Sequence, residues 1–503
     1  MRTAVAALAF LLLPLAAHAH VGSPNIFFEG RAGPYALSVV IRPPPTLPGV
    51  AQIDVRVTDA DVTRVSVVAA FAQAGDDAAP APTQAMPVAG DARLFSASVW
   101  LLRRGTYAVQ IELESARGVG NATVPLQASA LMRPVMPPAL AGLLIALGSG
   151  LCVFAIALVA AIASGGSDRA RGRRAALVAG IVLAAALVAG ALRWRAMDRN
   201  FGNALYRPLP VLAAIEKSGV LPLLRLEPVE GGAPESSWET LVTDHGKLMH
   251  LFLIREPSLN AFAHLHPIRR DGRTFEGVLP PLPAGSYELY AELTHEDGSS
   301  ETLVAKVALP EPPDRGLGLW QTTIGDGWCL SGVTPAAATE AQPNALDFDD
   351  SWHMSRASAE LASPLMGGGR MIFETPGELV ADRETPLRFA TFTAEGEPVA
   401  LEPYMGMLGH AVVRRSDGGV FVHLHPMGTV SMAAATLLAR RDGNADPMPP
   451  PATGGGAASD AREVVFPYAF PRAGDYRIWV QVRTRGSGGV LTGVFDVSVR
   501  DAT

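Results

Sequence analysis

A short histidine-bearing segment occurs twice in this chain, and it limits the possible fold more than any other feature. The first copy, KLMHLFLIREPSLNAFAHLHP, covers Lys247–Pro267, and the second, MLGHAVVRRSDGGVFVHLHPM, covers Met407–Met427. Each copy has one His, a short apolar run, turn residues and then Phe-x-His-Leu-His-Pro. Two strand-forming runs separated by turn residues predict a β-hairpin in each copy.

The second copy contains a strong two-residue hairpin turn signal, Asp417-Gly418. Centring the hairpin on this dipeptide places His410 directly across from His425. Side chains alternate between the two faces of a strand, so His423 lies on the same face as His425. The second hairpin is therefore predicted to present three imidazoles on one face.

The first copy has a longer turn, and centring it on Ser258 places His250 across from His266. His264 shares the face of His266 because the two are separated by one residue. Cross-strand Cβ atoms on one face are about 4.5–5.5 Å apart. Three imidazoles at such spacing can converge on one ion with bonds near ~2 Å, so each hairpin is predicted to hold a metal ion.

Methionines near the second hairpin extend the predicted ligand set. The predicted metal ligands are His250, His264, His266, His410, His423, His425, Met405, Met407 and Met427. A thioether is a soft ligand, so His with Met favours copper, as Cu(I) or Cu(II), over zinc. Two alternatives remain open: the histidines hydrogen-bond to loops, and the methionines fill the core. His245 and His295 are expected to be solvated loop residues.

The start of the chain and two apolar runs predict a membrane protein of the cell envelope. Residues 1–19 have a positive start, an apolar centre and an Ala-His-Ala cleavage pattern, as a secretory signal does. The runs 138–163 and 175–194 are each long enough to span a bilayer as a helix. The Arg-rich residues 164–174 between them predict a cytoplasmic loop. Both flanks then lie on the periplasmic or extracytoplasmic side of the inner (cytoplasmic) membrane.

A Gly-x-Tyr strand opening at Gly105, Gly285 and Gly474 predicts three related immunoglobulin-like β-sandwiches. The expected fold class is mainly β, with these three sandwiches and a two-helix transmembrane hairpin. The expected organisation after the signal is an N-terminal sandwich (20–132), helix (138–163), loop (164–174), helix (175–194), connector (195–236), His-bearing sandwich (237–310), linker (311–372) and second His-bearing sandwich (373–500). Residues 211–216 are expected to form a short helix.

Composition excludes several classes of function. The net charge is −7, and no long basic block is present, so nucleic acid is not an expected partner. No nucleophile elbow, phosphate loop or dinucleotide fingerprint occurs in the sequence, so we do not expect an enzyme. An enzyme that uses an open coordination position on copper or zinc stays an alternative. The chain has only 2 Cys, which predicts no disulfide framework.

Two segments resemble known envelope families. Glu402–His410 followed by Val422–Pro426 is similar to the YtkA-like and FixH-like domain proteins. Ala17–His20 resembles the processing site and start of the CopC-like copper-resistance proteins, which are immunoglobulin-like copper binders. The resemblance implies a β-sandwich, an envelope location and metal handling. The chain departs from the CopC-like pattern because residues 21–244 contain no His to partner His20.

These observations predict a membrane-anchored periplasmic metal-binding protein, with copper as the ion, for sequestration or for delivery to an envelope acceptor protein. The alternative is a scaffold that binds a protein partner through its sandwiches without a metal. The two hypotheses differ in whether the six hairpin imidazoles are needed to bind the metal ion or the protein partner.

Overall fold

A computed structural model describes residues 20–58, 61–74, 79–203, 205–218, 221–229, 238–311, 320–324, 327–333, 347, 349–355, 361–374, 377–444, 461–485 and 489–502. The predicted signal peptide, residues 1–19, lies outside these residues. The described chain is mainly β, with several sheets and two long apolar helices. The predicted fold class is therefore confirmed.

The first β-sandwich encloses an apolar core in which strand side chains alternate between inside and outside. The strands in this part of the chain are β1 (His20–Val21), β2 (Ile26–Ala32), β3 (Tyr35–Arg42), β4 (Gly49–Val57), β5 (Val62–Phe71), β6 (Thr83–Gln84), β7 (Met86–Val88), β8 (Asp91–Leu101), β9 (Gly105–Ser115) and β10 (Gly118–Ala128). One sheet has the order β2-β3-β4-β8-β7 and the other β10-β9-β5-β6. Val39, Ile53, Val65 and Val109 are fully buried between them. Strand β1 leaves this sandwich and pairs elsewhere.

Two helices follow, α1 (Pro138–Ser164) and α2 (Arg169–Asn203), and both are long and apolar enough to cross a membrane. The second is longer than expected because it begins within the predicted Arg-rich loop. The Asp168 carboxylate accepts hydrogen bonds from the backbone N–H groups of Ala170 and Arg171, which caps the helix there. The loop between the helices is thus shorter than the predicted residues 164–174.

The second β-sandwich begins at residue 209, well before the predicted boundary at 237. Its strands are β11 (Leu209–Ser218), β12 (Leu221–Pro228), β13 (Leu241–Val242), β14 (His250–Arg255), β15 (Ala261–Leu265), β16 (Ile268–Arg269), β17 (Phe275–Val278), β18 (Gly285–His295), β19 (Ser300–Leu309), β20 (Trp320–Ile324), β21 (Gly327–Val333) and β22 (Ser351–Ser355). They follow the order β16-β17-β12-β11-β19-β18-β14-β15-β22-β21-β20, and β13 pairs with β18.

The predicted connector (195–236) and the helix at 211–216 are therefore wrong. Leu224 and Leu226 alternate along β12 and enter the same core as Phe275, so burial of these side chains draws the segment into the sheet. The predicted linker (311–372) is wrong for the same reason. Trp352 and Met354 alternate inward on β22, which extends the sheet beside β15.

The third β-sandwich carries the second hairpin. Its elements are β23 (Ala362–Pro364), β24 (Arg370–Glu374), β25 (Leu387–Phe392), β26 (Leu401–Glu402), β27 (His410–Arg415), β28 (Val420–Leu424), α3 (Met432–Arg441), β29 (Glu463–Phe466), β30 (Gly474–Thr484) and β31 (Val490–Val499). One sheet is β23-β24-β25-β29. In the other, β28 pairs with β27, β27 with β30, and β30 also with β26 and β31. Strand β1 adds to its edge, parallel to β28.

The second and third sandwiches pack against each other through reciprocal aromatic stacks. Tyr290 of the second stacks on Phe421 of the third, with ring centroids 3.7 Å apart. Trp479 of the third stacks on Phe262 of the second at 5.1 Å. Phe262 and Phe421 hold the same position in the two hairpins, as Tyr290 and Trp479 do in β18 and β30. The contact is thus approximately two-fold, and it brings the His-bearing faces of both hairpins together.

Candidate metal centre

Both predicted hairpin registers are confirmed. Phe252 pairs with His264 in the first hairpin, which is the register that aligns His250 with His266. Val412 pairs with His423 in the second, the register that aligns His410 with His425. The strands are joined by residues 416–419, a longer loop than the predicted two-residue turn, and Gly418 within it has a φ of +75°.

The first hairpin forms the triad that its sequence predicts. His250, His264 and His266 each offer a nitrogen, and these atoms lie within 4.8 Å of one another. His250 Nδ1 is 3.1 Å from His264 Nε2. Two ligands of one tetrahedral ion would be about 3.3 Å apart, given metal–nitrogen bonds of about 2.0–2.1 Å. The first triad therefore has the spacing that one ion needs.

The second triad combines both sandwiches. His410 and His425 of the third join His245 of the second, with nitrogens within 4.8 Å of one another. The ring of His245 lies 5.2 Å from that of His410 and 5.1 Å from that of His425. Only 2% of the His245 side chain is exposed, so the expectation of a solvated loop residue is wrong. His295 is also buried, and its Nε2 lies 3.0 Å from Glu301 Oε1.

A tight turn aims His245 into the cluster. Asp244 and Lys247 exchange two backbone hydrogen bonds across it, and His245 has a φ of +53°. The third sandwich repeats this turn at Tyr404 to Met407, with Met405 at a φ of +48°. His245 and Met405 thus occupy equivalent positions, each five residues before the lone His of a hairpin. This repeat is the signal that sequence reasoning passed over.

His423, predicted as a member of the second triad, lies between the two triads. Its ring centroid is 5.7 Å from those of His250 and His264 in the first triad. It is 5.5 Å from that of His410 and 4.4 Å from that of His425 in the second. Seven buried or nearly buried imidazoles therefore form one continuous cluster, which we call the histidine cluster.

Outer hydrogen bonds orient four of these rings in the same way. The four Nδ1 contacts are His264 with Gln481 Oε1 (2.9 Å), His266 with Asp350 Oδ1 (3.0 Å), His423 with Glu292 Oε2 (2.8 Å) and His425 with the Val430 carbonyl (3.3 Å). An Nδ1–H that donates outward leaves the lone pair on Nε2, which then faces the cluster. Histidine ligands of metals show this arrangement.

Several inward nitrogens are buried without a hydrogen-bond partner among the described residues. They are Nε2 of His266, His423 and His425 and both ring nitrogens of His410. Leaving a buried polar atom unpaired costs about 1–3 kcal/mol. These nitrogens are therefore available to bind a ligand.

Two of the outer partners cross between the sandwiches. Gln481 on β30 of the third bonds to His264 of the second. Glu292 on β18 of the second bonds to His423 of the third. The two are equivalent, each seven residues after the glycine of Gly-x-Tyr, so the approximate two-fold relation extends to the ligand supports. Neither sandwich alone can form the complete cluster.

Burial keeps the imidazoles neutral. It lowers the pKa of His250 to about 4 and that of His425 to about 3, and neighbouring imidazoles lower that of His425 further. Burial also lowers the pKa values of His264 and His410 well below the usual range. A neutral imidazole has a free lone pair, which is the form that binds a metal.

Carboxylates surround the cluster. Asp350 accepts from His266, and burial raises the pKa of its carboxyl to about 8. Asp244 is 9% exposed and lies beside His245, with its Oδ1 3.5 Å from the ring Nε2. Glu292 keeps 26% of its side chain exposed, where it borders a cavity of about 120 Å³. The same cavity is lined by His250, His423 and His425, so it connects these rings to the surroundings.

The predicted thioether ligands lie in a different environment. Met407 and Met427 are 8% and 3% exposed and pack in the apolar core of the first sandwich, with Val430 and Ala435. Met405 is half-buried in its turn. The surroundings of Met407 and Met427 are those of core-filling residues, so the structure assembles the candidate centre from imidazole nitrogen.

Part of the chain matches a protein family whose function is not defined. Residues 367–501 match the family described as Domain of unknown function (DUF8832). No curated protein matches the chain. Among solved structures, a tetra-tandem repeat of a large adhesion protein is similar at 11% identity, 91% coverage of this chain, 96% of that chain and a TM-score of 0.15. SGBP-B from Bacteroides uniformis is similar at 10% identity, coverages of 95% and 99% and a TM-score of 0.16.

Proposed function

We propose that this chain is a membrane-anchored, extracytoplasmic metal-binding protein that holds its ions between the second and third sandwiches. The arrangement of the histidine cluster supports this: outward Nδ1 contacts leave inward, buried and unpaired Nε2 atoms. The two apolar helices would anchor it in the inner membrane, with the sandwiches on the periplasmic side. Sequestration, or delivery to an envelope acceptor protein, is the task that such a centre would serve.

Copper is the first ion to test. Imidazole suits copper, zinc, iron and nickel, and for a given nitrogen site Cu(II) binds most tightly among the divalent ions. The preference no longer depends on thioether ligands, because Met407 and Met427 lie in the core of the first sandwich. Zinc is the main competitor, since it also takes three or four imidazoles in tetrahedral geometry.

Metal titration of the full chain in detergent is the decisive experiment. We expect Cu(II) to bind tightly to the native protein, and a variant with His264→Ala and His410→Ala to lose that binding. His295→Ala is the matched control because His295 is a buried His outside the cluster that pairs with Glu301. Equal uptake by the native chain and the double variant would overturn the proposal and favour a scaffold that needs no metal.

Delivery is tested separately from binding. The copper-loaded chain is mixed with a chromophoric copper chelator of graded affinity, and the transfer rate is measured. A delivery protein should release its ion by direct exchange, at a rate that rises with chelator concentration. A rate that does not depend on chelator concentration would favour sequestration.

A further inference from the structure

We infer that the two triads form one binuclear centre, with His423 between the two ions and the adjacent cavity giving a small bridging ligand access to them. This inference rests on the proposed function and specifies it. The triads are His250, His264 and His266, and His245, His410 and His425. Two separate mononuclear sites would not require the triads to be neighbours.

The ring positions allow the two ions to lie close together. The His245 and His250 rings, one from each triad, have centroids 6.0 Å apart, and His264 and His410 have centroids 6.4 Å apart. An ion lies about 3 Å from the centroid of an imidazole that binds it, so the ions would be at most about 12 Å apart, and closer if they lie between the rings. His423 occupies the space between the triads, with a buried Nε2 that has no hydrogen-bond partner among the described residues.

The surrounding charge suits two cations rather than one. Three acidic side chains directly contact rings of the cluster: Asp244 contacts His245, Glu292 contacts His423 and Asp350 contacts His266. Two adjacent divalent ions repel each other strongly in a low-dielectric interior. When they are ionised, three nearby carboxyl groups would offset much of this repulsion, whereas a single ion on neutral imidazoles needs fewer counter-charges.

The cavity borders both triads. It is lined by His250 of the first triad, His425 of the second and His423 between them, with Asp244, Glu292 and Glu301 on its walls. Its volume of about 120 Å³ accommodates several waters or a small anion such as hydroxide or azide. A small oxygen or nitrogen ligand is therefore a chemical class that fits beside the ions.

Electron paramagnetic resonance of the copper-loaded full chain tests the inference. At one equivalent of Cu(II) we expect a resolved mononuclear spectrum, and at two equivalents a spectrum broadened or diminished by coupling between the ions. Loading one Cu(II) and one Zn(II) in the same native chain should restore the resolved spectrum. Replacing one Cu(II) by Zn(II) requires no amino-acid substitution, so the test does not depend on whether a variant folds.

Single substitutions assign the ions to the triads. His266→Ala and His245→Ala should each reduce the stoichiometry from two to one and abolish the coupling, while His295→Ala keeps both. His423→Ala should weaken binding at least tenfold, whereas a space-filling role would leave the affinity unchanged. Two equivalents with two uncoupled spectra, or a single equivalent in the native chain, would overturn the binuclear centre. The absence of any copper binding would instead overturn the proposed function.

Discussion

At the scale of single residues, four imidazoles of the cluster are each oriented by one oxygen atom that contacts the ring Nδ1. Gln481 holds His264 of the first triad, and Glu292 holds His423 between the triads. Such supports set the ring orientation and the basicity of the ligand nitrogen. The affinity of the proposed centre for metal would therefore depend on residues that do not touch the ion.

Gln481→Leu tests this dependence. We expect the affinity of the first triad for Cu(II) to fall about 10–100-fold, because His264 loses the acceptor for its Nδ1–H. The second triad should keep its affinity, since Gln481 bonds only to His264 among the cluster rings in the described contacts. Isothermal titration of both phases measures the change. An equal loss in both phases would show a general loosening of the interface instead.

A second residue-scale prediction concerns acid stability and His353, which lies outside the cluster on β22. Burial, followed by the charge of Arg477, lowers the pKa of His353 to about 3. The unfolded chain takes up this proton below about pH 6.5, while the folded chain does not until about pH 3. Stability is therefore lost as the pH falls through this window, by at most about 1.4 kcal/mol per pH unit.

His353→Gln removes this one titration. In the metal-free protein, we expect its free energy of unfolding to fall less steeply than that of the native chain between pH 6.5 and 4. Urea denaturation at each pH gives the two curves. Other buried histidines contribute equally to both, so their effects cancel in the difference. Parallel curves would contradict the assignment.

At the scale of elements, the sequence was sufficient for the hairpins but not for the loop that completes the centre. Asp417-Gly418 defines a turn, and strand alternation then sets the face of each His, so both registers were predictable. His245 was not, because its direction depends on a left-handed backbone within a turn. Strands β11 and β12 were missed since their prolines, such as Pro210 and Pro222, are typical of connectors.

The hairpin strand β27 also holds the two sandwiches together through Arg414. Its guanidinium is 1% exposed and forms ion pairs with Glu256 and Glu288 of the second sandwich. We expect Arg414→Met to destabilise the protein by about 3 kcal/mol, because two partly buried carboxylates lose their counter-charge. Chemical denaturation of the full chain measures this.

The neighbouring residue provides the control. Arg415 is 23% exposed on the same strand, and its ion pair with Asp417 is 3.2 Å long and lies within the hairpin. Exposed pairs of this kind contribute at most about 1 kcal/mol, so Arg415→Met should change the unfolding free energy little. If the two variants lost equal stability, Arg414 would have no special role in the interface.

At the scale of the whole molecule, the centre exists only when the two sandwiches are assembled. The aromatic stacks and the supports Glu292 and Gln481 all cross the contact in pairs. A sequence pattern within one hairpin cannot show which partner sits opposite, since the partner lies more than a hundred residues away. This is why the first triad and two members of the second could be predicted from the hairpins, whereas their arrangement in one cluster could not.

The first sandwich also supports the centre from outside, through the segment that carries β1. The Gly22 N–H donates to the Phe421 carbonyl at 2.8 Å, and that of Glu29 to the Met427 carbonyl at 2.7 Å. Gly428 lies where these two segments meet and has a φ of +122°. It exchanges two backbone hydrogen bonds with His425. The contact between the first and third sandwiches thus reaches His425 of the second triad.

Gly428→Ala should disrupt the contact between the first sandwich and the segment that carries His425. An added Cβ would lie 1.9 Å from the Phe27 carbonyl oxygen, so either the first sandwich or His425 must shift. We expect a loss of about 3 kcal/mol in stability from overpacking and backbone strain, and weaker copper binding at the second triad. Gly443→Ala is the control, because Gly443 has a φ of +72° but no atom within 4 Å of the added Cβ. Calorimetry and copper titration of both variants measure the stability and the copper affinity. Similar losses in the two variants would mean that backbone strain alone, and not the contact with the first sandwich, causes the effect.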